Sequence, residues 1–288
     1  MRIDRRHTLI SPQSHLMTRP RTNSVLSTFL LFVAGAVLLR LASIAGWVFF
    51  PGDGSGVRLA RIAIPAVFTI GLVWLNDFAL RRDGWPRDSL GLRPTASRAG
   101  WFLVGAGAMT VIVSLLVAAL WCQVHFHLEP GSMTWRAFAW RSIEYLAGNF
   151  GEELIFRGYL LLTLAKRWGE SRAVLVTSFL FGLFHLPGLS GIVALKMVCT
   201  TFLGGCLFAR VFLSTRTLWT AVAMHVAGNI VLHHVYGASA GPDAASWWKP
   251  VFDSPWPNSY DPAFVAWLIV LIPVVAAAAF LRQPTPAA

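Results

Sequence analysis

The chain reads as an all-α, polytopic membrane helix bundle of about eight transmembrane helices with both termini cytoplasmic, and three observations lead there. Of its 288 residues, 56% are hydrophobic and 13% charged, whereas a soluble globular chain carries about 25% charged residues. Charge-free stretches at 101–123, 174–195, 217–242 and 262–281 each match or exceed the ~20 apolar residues that cross a bilayer core. Most Lys and Arg sit in short segments between apolar runs, the pattern that sets topology. Apolar segments recur from residue 25 to residue 281. That excludes a secreted disulfide scaffold, a disordered tail and a cytosolic enzyme with a lone anchor.

By apolar length the spans fall at about 25–50, 59–80, 99–123, 138–165, 172–187, 191–213, 216–236 and 263–281. The first follows an arginine-bearing tail, 1–24, in which Met1 and Met17 are alternative starts. Its apolar stretch is too long for a cleaved signal peptide and no small-x-small site closes it, so it reads as a retained anchor. With the N-terminus inside, the 81–98 loop, the 166–172 loop, Arg210, Arg216 and Arg282 share the cytoplasmic side. Asp53, Glu129, Asp243, Asp253 and Asp261 fall on the other. The Trp-, Pro- and Asp-rich segment 237–262 is one long external loop, with Trp247, Trp248 and Trp256 as interfacial anchors. The organisation is therefore a tail (1–24), two N-terminal spans (25–84), a core (85–236), the external loop and a last span with a short tail (263–288).

The net charge of +11 is spread over the inter-span segments rather than gathered on one face, so nucleic acid is not a partner. The lipid bilayer is. Arg outnumbers Lys 21 to 3, which points to a GC-rich genome and a bacterial inner membrane. Cys122, Cys199 and Cys206 are odd in number and lie inside apolar segments, so they form no disulfide framework.

Ionisable side chains at bilayer depth are costly and mark function by default. Span four carries Glu152-Glu153-x-x-x-Arg157, span five Phe181-x-x-x-His185, and span seven His225-x-x-x-Asn229. Glu153 and Arg157 are four apart with the acid first, the favoured order for a helical ion pair. Glu152 points about 100° away from Glu153, which leaves it free as a general base. Taken singly, each set could also be structural: an inert buried ion cluster, a helix-end histidine, an interhelical hydrogen-bond pair. Together they supply a base, two imidazoles and an amide on three spans. Arg40 and Asp77 lie close enough to helix ends to snorkel, as do His233 and His234. His125-x-His127 is a weak metal signal, and Glu144 falls on the helix face opposite Glu153.

In that order and on successive helices, these three motifs resemble the CPBP family, the CAAX-processing and bacteriocin-processing intramembrane endopeptidases. Leu90-Gly91-Leu92 is also similar, and the likeness covers about residues 85–235. The resemblance implies hydrolysis of a peptide bond in a membrane-associated protein or peptide. It implies catalytic roles for Glu152 and His185 on the attacking water and for His225 and Asn229 on the oxyanion, with Glu153 and Arg157 in support. The favoured reading uses no cofactor; the alternative is zinc held by Glu152, His185 and His225. Two other functions compete: an ion- or proton-coupled transporter, and a non-catalytic immunity or scaffold protein. For the mouth of the site, the sequence favours the cytoplasmic side, because His225 is nearer that end of its span.

Overall fold

The computed structural model describes residues 22–49, 55–238, 245–254 and 260–281. Arg2, Arg5, Arg6, Met17, Arg19, Asp53, Asp243, Trp256 and Arg282 lie outside them, and with these most of the tail and part of the long loop. The elements are α1 (Thr22–Val48), α2 (Ser55–Arg82), α3 (Ala96–Trp121), β1 (Phe126–Pro130), α4 (Trp135–Phe156), α5 (Tyr159–Trp168), α6 (Glu170–Phe184), α7 (Gly191–Thr215), α8 (Leu218–Ile230), a π-helical turn (Val231–Val235), β2 (Trp248–Phe252) and α9 (Pro262–Ala278).

The protein is a mostly helical bundle with apolar membrane helices, as composition demands. Among the described residues, four helices are long and apolar enough to cross a membrane: Val25–Gly46, Leu59–Arg82, Ala96–Trp121 and Gly191–Thr215. The remaining expected spans fall short of that standard for physical reasons. The α4 helix carries Arg136, Arg141, Glu144, Glu152 and Glu153, while α6, α8 and α9 have 15, 13 and 17 residues.

Span four is not one helix. The chain breaks at Arg157–Gly158 because Asn76 of α2 inserts its amide into the helical ladder. Its Nδ2 donates to Leu154 O at 3.2 Å and its Oδ1 accepts from Tyr159 N at 2.7 Å. A side chain that takes over these backbone groups ends a helix without leaving them unpaired. Only glycine fits at 158, where a Cβ would overlap Asn76 and the Leu154 carbonyl.

The long loop is not purely irregular. Its residues 248–252 pair antiparallel with 126–130, from Phe126 opposite Phe252 to Pro130 opposite Trp248. Trp247 packs against Trp135 and Phe138 at the start of α4. The ribbon marks one end of the bundle, together with the Lys196–Asp261 ion pair at 2.9 Å and Gln123 bonded to Pro262 O. The basic loops gather at the other end. There Lys166 lies over Trp85, Arg210 reaches Ser171, Arg98 pairs with Asp88, and Leu218 N bonds Leu90 O. Leu90-Gly91-Leu92 thus fixes the turn between α7 and α8. Gly91 has a φ of +62°, and a side chain there would overlap Arg216 and Thr217.

Candidate active site

Four elements bring the sequence motifs together. Arg157 ends α4 with its side chain fully buried beside Glu153, Nη1 to Oε1 at 3.1 Å, and its Nη2 donates to Gly205 O of α7 at 3.1 Å. Its guanidinium lies 4.3 Å from the Phe181 ring centre and 5.4 Å from that of Phe208. Cation–π contact of this kind strengthens when water is excluded. Phe181 then meets both histidines edge-on, His185 at 4.7 Å and His225 at 5.7 Å, while Phe208 stacks on His225 at 5.1 Å.

Each imidazole has one nitrogen committed. His185 caps the last turn of α6, just ahead of Pro187, and its Nδ1 faces Phe181 O at 2.8 Å. A carbonyl only accepts, so Nδ1 carries the proton and Nε2 is turned elsewhere. His225 Nδ1 faces Glu153 Oε1 at 2.9 Å, which makes the same assignment against a carboxylate. Both free Nε2 atoms point at one oxygen, Glu152 Oε2, at 3.9 Å each. That is too long for a direct hydrogen bond, and a spacing at which a bridging water belongs. Glu152 is 22% exposed and His185 27%, against 0% for Glu153 and Arg157, so the adjacent carboxylates have opposite surroundings. Asn229, one turn beyond His225, is half-buried with no hydrogen-bond partner among the described residues.

The donor set of two imidazole nitrogens and a carboxylate is one that zinc accepts, but the spacing is wide. Tetrahedral zinc with bonds of about 2.0–2.1 Å holds its ligand atoms roughly 3.3 Å apart. Among the described residues no group of three or more His, Cys, Asp or Glu side chains is arranged to hold a metal.

The other polar candidates lie apart. Glu144 is held by Trp140 and Arg141 within α4. His127 faces Asp253 and Glu129 in the exposed ribbon. Asp77 pairs with Arg81, and Arg40 rests over Phe184. His234 does not snorkel; it is buried with Nδ1 on Ala245 O. His233 turns toward Tyr145 of α4, the rings stacked at 6.3 Å. Sequence reasoning left Phe181 without a role and passed over Asn76, Asn149 and Phe208. Asn149 and Tyr145 repeat at four-residue steps before Glu153, a spacing that was there to be read.

Fold and site together define a helical membrane protein in which a partly buried cluster of two carboxylates, two imidazoles and an amide gathers between α4, α6 and α8. Residues 134–231, about a third of the chain, match the family model of Rce1-like type II CAAX prenyl endopeptidases. The match runs from the N-cap of α4 into the π-helical turn and takes in every motif residue from Glu152 to Asn229. No curated protein matches the chain.

Proposed function

We propose that the protein is an intramembrane endopeptidase that hydrolyses a peptide bond of a membrane-associated protein or peptide in a bacterial inner membrane, with a water activated by Glu152 and no metal. The observation that carries this reading is the convergence of His185 Nε2 and His225 Nε2 on Glu152 Oε2. A water held between Glu152 and His185 loses a proton to Glu152 as its oxygen attacks the peptide carbonyl. The tetrahedral oxyanion takes hydrogen bonds from His225 and Asn229, the electrostatic contribution that dominates such reactions. His225 can donate from Nε2 only when both ring nitrogens are protonated, and Glu153 faces that positive ring directly. Collapse of the intermediate breaks the C–N bond, and the proton held by Glu152 passes to the leaving amine. Glu153 and Arg157 keep His225 in place.

The test is cleavage of a panel of membrane-anchored peptides by purified wild type and by Glu152→Ala, each with and without chelator. Cleavage by wild type that survives chelation and is lost in Glu152→Ala is the expected result. Loss on chelation, restored by added zinc, would replace the metal-free mechanism. Equal cleavage by both proteins would remove Glu152 from the chemistry.

A further inference from the structure

We infer that water and substrate reach Glu152 from the ribbon-bearing face, along two facing ladders of polar side chains, so that the natural substrate is a polypeptide segment presented opposite the basic loops. This rests on the hydrolytic reading of the site and reverses the cytoplasmic mouth favoured by the sequence.

Burial changes at the level of the site on each of three helices. On α4, no residue from 135 to 148 is buried, whereas from Glu153 through Leu164 of α5 only Ile155 escapes burial. On α7 nothing from 191 to 204 is buried, and 205–209 all are. On α8 residues 220–226 are buried and 227–230 are half-buried. The packed side is in each case the one toward the basic loops.

The looser side is polar where the helices face each other. Tyr145, Asn149 and Glu153 recur at four-residue spacing on α4, so they share a face. His225, Asn229 and His233 recur likewise along α8 into the π-helical turn. The two rows meet at the Tyr145–His233 stack. Asn149 Nδ2 and His233 Nδ1 are buried with no protein partner. Buried polar atoms left by the protein are normally satisfied by ordered water. Continued the other way, the rows reach Arg157 at the end of α4 and Ala221 on α8, each 0% exposed. A nucleophilic water cannot come from lipid, and non-helical or polar surfaces at membrane depth are tolerated where they line a water-filled cavity. Toward the basic loops the hydroxyls of Thr163, Ser178 and Thr220 are also unsatisfied, but among the described residues they sit in the closely packed half, whereas Asn149 and His233 sit where α4 and the end of α8 are only half-buried.

The test reads access without proteolysis, so its failure is distinct from failure of the protease assignment. In a background with Cys122, Cys199 and Cys206 replaced, single cysteines are placed at Tyr145, Asn149 and His233 outward of the site and at Thr163 and Thr220 inward. Ser89→Cys and Ser254→Cys report the two faces. Vesicles of each orientation are treated with a charged, membrane-impermeant methanethiosulfonate reagent. Thiol modification follows exposure, so the outward positions should react at least about tenfold faster from the face that labels Ser254→Cys, with the inward pair silent from both. Faster reaction of Asn149→Cys or Tyr145→Cys from the Ser89→Cys face would overturn the inference. So would labelling of the inward pair from that face, or silence of all three outward positions while Ser254→Cys reacts. If Asn149→Cys fails to fold, the half-buried Tyr145→Cys and His233→Cys give the same reading.

Discussion

The half of the bundle between the site and the basic loops and the half between the site and the β-ribbon are built from the same helices but obey different rules. Inward, Arg157, Tyr159, Leu161, Phe212, Leu218 and Val222 are almost fully buried, and Arg157 is enclosed by aromatic rings. Outward, no residue of α4 from 135 to 148 and none of α7 from 191 to 204 is buried, and polar side chains, Asn149, Asn229 and His233 among them, line the facing helices. Hydrophobic and aromatic burial stabilises the first half. The second half forgoes some of that stabilisation and keeps a polar surface beside Glu152. Adjacent positions on a single turn of α4 therefore meet opposite surroundings: Glu153 is fully buried beside Arg157, and Glu152 is partly exposed.

Substitutions can break this division or sharpen it. The largest effect belongs to Arg157→Ala. It leaves Glu153 as an uncompensated buried charge, worth about 3–5 kcal/mol, and the variant should unfold in detergent at a markedly lower temperature than wild type. Unchanged thermal stability would mean that the inner half does not depend on this pair. Next is Asn76→Leu, which strips Tyr159 N of its acceptor and so costs about 1–3 kcal/mol. Circular-dichroism melts should record that loss, together with lower cleavage, because the break that aims Arg157 is held by Asn76.

Two smaller effects test the loops at either end. At the basic face, Asp88 lies outside the membrane. Burial alone would raise its carboxyl, but hydrogen bonds from Arg98, Arg93 N and Leu92 N, with the Arg98 charge, hold it below 3.8. A lowered carboxylate stabilises fully above its unfolded value and loses that contribution as pH falls through the folded one. Melting temperature should therefore drop below pH 3.8 in wild type and less steeply in Asp88→Asn, measured by a pH series of melts. At the ribbon, the hydrogen bond to Asp253 raises His127 above 6.5, against slight desolvation and with help from Glu129. Its sign is opposite: the contribution is complete below 6.5 and fades as pH rises through the raised value. Because His127 is exposed, His127→Gln should flatten only a shallow alkaline slope in the same series.

Much of the site was legible because helical spacing is rigid. Glu153 and Arg157 at four residues meet as their sequence separation requires, and His225 and Asn229 at four share one face of α8. Adjacent Glu152 and Glu153 diverge for the same reason. What the sequence hid depends on partners far along the chain. Asn76 acts on Leu154 and Tyr159 about eighty residues away, and nothing in α4 itself announces the break. The ribbon pairs 126–130 with 248–252, two five-residue segments too short for a periodic pattern to be read. His233 and His234 looked like interfacial residues because both follow an apolar run. The π-helical turn instead sends His234 into a buried contact with Ala245 and His233 against Tyr145. Phe208 is one apolar residue among many until its ring is seen against His225.

Glu152 and Glu153 offer the most direct test, since the two are chemically identical neighbours assigned to opposite halves. Thermal unfolding of purified Glu152→Gln and Glu153→Gln in the same detergent needs no substrate. Glu152→Gln should unfold at the wild-type temperature, because Glu152 is partly exposed and has no close ion-pair partner. Glu153→Gln should unfold several degrees lower, because Arg157 would be left buried without its counter-charge. Equal melting of the two variants, or a lower temperature for Glu152→Gln, would contradict the division of structure and chemistry on which the account rests.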